Sequence, residues 1–463
     1  MTAPPAAPAR HAPRRQAPVR HALRGRAVTF RADPFQDGPT AALVHEPDAL
    51  IVIEDGHITA FGPHDALRPT LPEGTPVTTY PRAVISAGFV DTHVHYPQLP
   101  MIAAYGEQLL EWLERYTFPT EARYADAGYA ARVARRFLRE LLRAGTTTAA
   151  VYCTVHPQSV DAFFTESARL DTRMVAGKVL MDRNAPDALR DTAQGGYDDS
   201  LALIDRWHGN GRQLYAVTPR FAATSTERQL DLAGSLLRQR DGLFMQTHLS
   251  ENVAEVEWIR RLFPSRRSYL DVYAHAGLVG PRGVLGHGVH VDEDTFHTCH
   301  ATGCAMAHCP TSNLFLGSGA FRLFDALDPR RPVRVGLGTD MGAGTSLSQL
   351  QTLNEAYKVA QSTGRRLHPV QAFWLATAGG ARSLHLDDRI GTIAPGIEAD
   401  LCVLDPYATP LMAQRAEECD TIEDLLFVLM MLGDDRSVRA TYVAGALAHD
   451  RDHDRDRDAP PAE

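Results

Sequence analysis

Six cysteines in 463 residues, Cys153, Cys299, Cys304, Cys309, Cys402 and Cys419, are too few and too scattered to form a disulfide framework. The chain therefore reads as one that works in a reducing cytoplasm. No apolar run approaches the roughly 20 residues needed to span a bilayer, the longest being Leu425 to Leu432, and the Arg-, Pro- and Ala-rich N-terminus lacks the apolar core of a secretory signal. No membrane partner is expected. Positive charge is in deficit, 47 Lys+Arg against 56 Asp+Glu for a net charge of −9, so no global field exists to gather phosphate backbones. Nucleic-acid binding is excluded on that ground. What is present, 44% apolar, 22% charged and 8% aromatic residues, is ordinary for a globular enzyme. The length suits one large barrel with a companion domain.

Residues 1–22 mix Ala, Pro, Arg and His without hydrophobic periodicity, and residues 451–463 alternate Asp with Arg before Pro-Pro-Ala-Glu. Both are expected to be disordered tails. From residue 27 to 79 short apolar runs, 49–53 and 57–61 among them, are broken by Asp55-Gly56 and Gly62-Pro63, which reads as a small antiparallel β unit. Similar text returns at 390–404 and 438–445. Segments 23–86 and 388–450 are accordingly expected to share one composite β-sandwich domain around a central insert.

Within 87–387, eight strand-like runs recur, at 88–95, 146–152, 174–181, 214–220, 243–248, 283–287, 304–308 and 333–340. Segments between them, such as 129–144 and 226–240, carry apolar residues at helical spacing. The alternation predicts an α/β fold, a parallel (β/α)8 TIM-like barrel, whose working residues sit at the C-terminal ends of the strands.

Metal-capable residues fall at those ends. His93 and His95 close the first run and, two apart on a strand, point to the same face. His248 ends the fifth run, His287 the sixth and Asp340 the eighth. An isolated His-x-His pair is weak in a chain with 20 histidines, but packing does not explain five such residues at strand ends, because buried imidazoles and a carboxylate without partners cost several kcal/mol. Together they suit Zn²⁺, or Fe²⁺ at similar geometry. Glu251, just past the fifth strand, is placed to carry protons for a water that such a cation activates; its alternative role is a first-turn helix carboxylate. The cluster Cys299, His300, Cys304, His308 and Cys309 lacks the Cys-x2-Cys spacing of zinc ribbons and reads as a strand with its exit. The His-x-Glu and Pro-Cys-x-x-Cys pattern of the cysteine-ligated deaminases is also missing.

The run Gly88-Phe-Val-Asp-Thr-His-Val-His95, with His248, His287 and Asp340 downstream, resembles the amidohydrolase superfamily and its aminohydrolase branch. Thr92-His-Val-His-Tyr-Pro-Gln98, Tyr116-Thr-Phe-Pro-Thr-Glu121, Thr218-Pro-Arg-Phe221, Thr247-His-Leu-Ser-Glu-Asn252, His308-Cys-Pro-Thr-Ser-Asn313 and Gly338-Thr-Asp-Met-Gly342 look like the guanine deaminase family. The likeness runs from about residue 27 to 436. It implies hydrolytic deamination of guanine to xanthine and ammonia in purine catabolism. It further implies that His93, His95, His248 and Asp340 bind one Zn²⁺ per chain, with Fe²⁺ as the alternative, and that His287 hydrogen-bonds the attacking water. Asp340 and Glu251 would move protons, while Gln98, Arg220 and Phe221 would hold the base, Arg220 at its O6 edge. Two-metal members need a bridging carboxylated lysine on the fourth strand, and the only lysines here are Lys178 and Lys358, so a mononuclear site is implied. A homodimer is implied as well. The alternatives are a deaminase of a related heterocycle, such as 8-oxoguanine, a pterin or a triazine, and a non-catalytic barrel that binds purines or partners. A two-metal amide-ring hydrolase is disfavoured by the missing lysine.

Overall fold

The computed structural model describes residues 20–106 and 108–454. The expected tails over 1–19 and 455–463 lie outside them. Four strands open the described chain, β1 (Arg20–Phe30), β2 (Leu43–Glu54), β3 (His57–Pro63) and β4 (Val77–Ala87). Nine strands follow in the middle, β5 (Phe89–His95), β6 (Thr146–Tyr152), β7 (Arg173–Gly177), β8 (Val179–Leu180), β9 (Leu214–Pro219), β10 (Phe244–Leu249), β11 (Gly283–His287), β12 (Ala305–His308) and β13 (Arg334–Leu337). Three close it, β14 (Leu401–Leu404), β15 (Val438–Val443) and β16 (Ala446–Asp450).

The flanking β domain takes the form of a seven-stranded mixed sheet in the order β16-β15-β14-β4-β1-β2-β3, drawn from both ends of the chain. It is mixed where an antiparallel unit was expected, because β1 and β4 run parallel. The β2–β3 turn follows from its sequence: Asp55 and Gly56 take φ of 49° and 83°, the left-handed pair a two-residue hairpin requires. β1 starts at Arg20, three residues inside the segment expected to be a tail, with Arg20 paired to Glu54 of β2 at 2.8 Å. At the other end, Arg451–Asp454 makes a helical turn, tied down by Arg451 to Asp405 at 2.9 Å. Both charged segments looked solvated because their partners lie far away in sequence.

The central strands form a parallel ring in the order β13-β12-β11-β10-β9-β7-β6-β5, with β8 beside β9. The third expected run is split at Lys178, which is buried and paired with Asp191. The eighth ends its ladder at Leu337, and Asp340, at φ 44°, lies beyond it. The ring closes there. Asp340 N–H donates to the His93 carbonyl at 2.9 Å, and the Thr339 N–H donates to the Asp91 carboxylate at 3.1 Å. One apolar layer plugs the interior, with Val90, Ala150, Val175, Ala216, Phe244, Val284 and Ala307 contributed by successive strands. The barrel is a packed core, so only its C-terminal mouth is free for chemistry.

Helices cover the ring as the spacing predicts. Helix Ala127–Arg143 buries Ala130, Ala134, Phe137, Leu138, Leu141 and Leu142 on one face and is capped by the Asp126 carboxylate. Thr226 caps helix Glu227–Leu237 in the same way. The longest apolar run lies in helix Ile422–Leu432, buried in the core, and no helix among the described residues is long and apolar enough to cross a membrane.

A charged cluster fastens the lower rim of the barrel to the segment that leads into β14. Glu398 accepts from Arg173 Nε at 2.8 Å and from Arg212 Nη2 at 2.6 Å, and Arg212 also pairs with Asp400. All four groups are buried. Glu398→Ala strands two guanidinium groups without their shared partner, and breaking a buried pair of this kind costs about 3–5 kcal/mol. The urea midpoint is expected to fall accordingly, and a midpoint equal to the parent's would remove this cluster from the account of stability.

Candidate active site

Strand alternation brings the five strand-end residues together. His93 and His95 share a face of β5, and Gly286 of β11 leaves the space that the His93 ring fills: a Cβ there would stand 2.6 Å from its Cε1. His93 Nε2 lies 3.4 Å and His95 Nε2 3.5 Å from Asp340 Oδ1. His287 Nε2 stands 3.8 Å from Asp340 Oδ2 and 3.5 Å from Glu251 Oε2. Metal-capable donor atoms lie within 4.8 Å of one another in two overlapping groups, His93 with His248 and His287, and His93 with His95 and Asp340. All five expected residues meet at one point.

The donor set fits a cation. His248 Nδ1 donates to the Arg220 carbonyl at 2.6 Å, which leaves its Nε2 as a bare lone pair, yet that atom sits 3.1 Å from His95 Nε2. Burial lowers the pKa of His93, His95 and His248, so these rings are neutral and present lone pairs. His93 Nδ1, His95 Nδ1 and His287 Nε2 are buried with no hydrogen-bond partner. Neutral ring nitrogens and a carboxylate gathered this closely in a buried site form a donor set that a shared cation would satisfy.

His287 differs from the other three. Burial works to lower its pKa, but Glu251 and Asp340 outweigh burial and the net shift is upward. Its Nδ1 donates to Asn313 Oδ1 at 2.9 Å, fixing the ring. Burial likewise works to raise Asp340, but the hydrogen bond and charge of His93 and the charges of His287 and His248 pull its carboxyl down to about 2. Burial pushes Glu251 up to about 7. Two carboxyl groups facing one histidine thus differ near neutrality, Asp340 ionised and Glu251 able to take up or release a proton. The backbone is strained at the same place, with Ser250, His287 and Asp340 at φ 50°, 72° and 44°.

A cavity opens onto this cluster, lined by His95, His248, Glu251, His287 and Asp340 together with Gln98, Arg220, Phe221 and Trp112. Every site residue expected from the sequence except His93 lines it, and His93 lies behind, in contact with the other rings. Phe221 is held edge-on by Trp258 at 6.0 Å. Arg220 is paired with Glu121 at 2.7 Å. Glu251 is not a first-turn helix carboxylate: it precedes the cap Asn252 of helix Val253–Leu262, and Glu255 takes that place, its Oε2 accepting from Glu251 N–H at 2.8 Å.

Four buried residues were not singled out from the sequence, Glu121, Glu255, Asn313 and Asp91, the last accepting from His93 N–H at 3.1 Å. Glu121, Asn313 and Asp91 stand inside quoted motifs, which was the available signal; their partners are side chains and backbone brought near only by the fold. In the cysteine cluster Cys299 and Cys304 lie against each other, and the other polar contacts go to backbone. Cys304 Sγ donates to the Gly283 carbonyl at 3.3 Å and His300 donates to the Pro332 carbonyl at 2.9 Å. No metal-capable group among the described residues contains a cysteine.

Residues 84–448 match the model of the amidohydrolase family. The chain is 51% identical to guanine deaminase of Escherichia coli strain K12 over 411 residues, 89% of this chain and 93% of that protein. A solved E. coli guanine deaminase superposes with a TM-score of 0.91 at 49% identity, covering 93% of this chain and all of that one. Guanine deaminase from C. acetobutylicum, solved with guanine bound in its active site, superposes at 0.82 with 27% identity, over 92% of this chain and 99% of the other.

The Glu251 shift has a stability consequence. An unfolded glutamate ionises near 4.5 and the folded Glu251 near 7, so the folded state holds this proton more tightly. The full contribution is present below about pH 4.5 and is lost as pH rises through 7, leaving the metal-free chain about 3 kcal/mol less stable above it. Glu251→Gln is therefore expected to raise the melting temperature of metal-free protein at about pH 8 and to leave it near the parent's at about pH 4.5. An equal change at both values would contradict the assigned environment.

Proposed function

The chain belongs to the amidohydrolase family and, within it, to the guanine deaminases, and on that premise we propose that it hydrolyses guanine to xanthine and ammonia. The observation that carries the reading is the shared cavity. Glu251, pushed up to about 7 by burial, and Asp340, held ionised, both face His287, and Arg220 and Gln98 line the same cavity.

His93, His95, His248 and Asp340 would hold one Zn²⁺ per chain, with Fe²⁺ as the alternative. When bound, the metal supplies a water acidified from a pKa of about 16 to about 7. The chain's own groups do the rest. Asp340, ionised at neutral pH, accepts a proton from the water as it adds to C2 of guanine, with His287 holding the water by a hydrogen bond. Electron density passes to N3, and Glu251 in its protonated form delivers a proton there. Glu251 passes the proton Asp340 took to the departing amino group and recovers its own from the C2 hydroxyl as the carbonyl forms, so the proton count closes on xanthine and ammonia. Arg220 offers N–H donors to O6, which an amino group at that position does not satisfy, and this favours guanine over adenine. Phe221 packs on the ring and Gln98 pairs with its rim. A place in purine catabolism and assembly as a homodimer complete the proposal and rest on the family resemblance, and a cytoplasmic setting rests on the few and scattered cysteines.

Incubation with guanine is expected to release xanthine and ammonia, to stop on chelation and to resume when zinc is restored. Faster ammonia release from 8-oxoguanine, a pterin or a triazine would replace guanine as the substrate. Glu251→Gln is expected to keep its metal and lose about a hundredfold or more in kcat; near-parental turnover would take Glu251 out of the mechanism. Arg220→Ala should raise KM for guanine with metal content unchanged.

A further inference from the structure

Glu121 does not line the cavity, yet it touches both polar residues that would read the base. It sits in helix Phe118–Ala122 at 0% exposure. Its Oε2 accepts from Arg220 Nη1 at 2.7 Å and its Oε1 accepts from Gln98 Nε2 at 3.3 Å. Phe118, one helical turn earlier, lies under the same guanidinium, with its ring centroid 5.7 Å from Cζ. One short helix thus grips Arg220 by charge and by ring face.

Two consequences follow from the chemistry of these groups. The Gln98 amide gives one N–H to Glu121, which sets its orientation, and its carbonyl is the atom that can accept from a donor edge such as guanine N1–H and the 2-amino group. The Arg220 charge is neutralised before any ligand arrives, and only its remaining N–H donors are left to offer. A buried guanidinium without a partner is a strong anion site; one already paired is a donor for neutral acceptors.

We propose that Glu121 is a positioning residue that orients Gln98 and Arg220 and cancels the arginine's charge, so that the pocket selects neutral purine bases and rejects their anions. The inference rests on guanine as the substrate and adds a reason for product release. Replacing the 2-amino group by a carbonyl makes a more acidic ring, so xanthine forms its monoanion nearer neutrality than guanine does. The pocket that accepts the neutral substrate then repels the ionised product.

The test compares competitive inhibition by hypoxanthine, mainly neutral, with that by xanthine at a mildly alkaline pH where it is mainly the monoanion. In Glu121→Gln, isosteric but uncharged, the xanthine constant is expected to fall relative to the hypoxanthine constant by about tenfold or more, with metal content unchanged. Arg220→Gln, which leaves Glu121 unopposed, is expected to move the ratio the opposite way. Glu121→Asp, which keeps the charge, should hold the ratio within about threefold of the parent's. Equal weakening of both purines in Glu121→Gln and Arg220→Gln would reduce Glu121 to a packing role and overturn the proposal. Should Glu121→Gln not fold, the direction seen in Arg220→Gln and the constancy of Glu121→Asp decide it alone. Calorimetric binding of the two purines reads the same ratio without turnover, so a parent enzyme that releases no ammonia from guanine defeats the substrate assignment separately.

Discussion

Four imidazoles and a carboxylate crowded onto one buried point are the constraint on which this molecule turns. His95 and His248 bring their Nε2 atoms to 3.1 Å, His93 and His287 crowd the same point, and burial keeps three of the four rings neutral. Buried ring nitrogens without a partner cost free energy, which a shared cation would offset, and the surrounding fold holds the rings there. The hydrogen bond from His248 to the Arg220 carbonyl and that from His287 to Asn313 fix which nitrogen of each ring stays bare. Strained left-handed backbone at Ser250, His287 and Asp340 holds the strand exits in place.

The barrel makes that concentration of polar groups affordable. Its interior is sealed by one apolar residue from each of seven successive strands, so the polar ends meet only at the mouth. Closure depends on the same residues. Asp340 reaches β5 through the His93 carbonyl and Thr339 through Asp91, so the eighth strand is docked to the first by the segment that also presents the carboxylate. The site and the last seam of the barrel are one structure, and the side chains behind it, Glu255 under Glu251 and Glu121 behind Arg220, are carboxylates whose oxygens are already committed. Each sets the geometry of a residue in front of it and leaves that residue free to act.

Much of this could be read from the residues alone. The eight apolar runs located the barrel strands, because a strand buried on both faces has no polar interruption, and period-two spacing put His93 and His95 on one face. The ends of the third and eighth runs were less legible. A buried lysine splits one, and a left-handed aspartate stands beyond the ladder of the other, and neither conformation is written in hydrophobicity. Glu121 was hidden differently: it lies 99 positions from Arg220 and 23 from Gln98, and local pattern carries no trace of such a pairing. Arg20 and Arg451 looked like tail residues because the acids they meet, Glu54 and Asp405, are distant in sequence.

The account stands or falls on whether this cluster of imidazoles and Asp340 takes up a single cation. Titration of chelator-stripped protein with Zn²⁺, read by calorimetry with elemental analysis of the saturated sample, is predicted to show one tight site per chain that is lost in His95→Ala. No saturable binding by the folded parent chain, or undiminished binding in that variant, would contradict it.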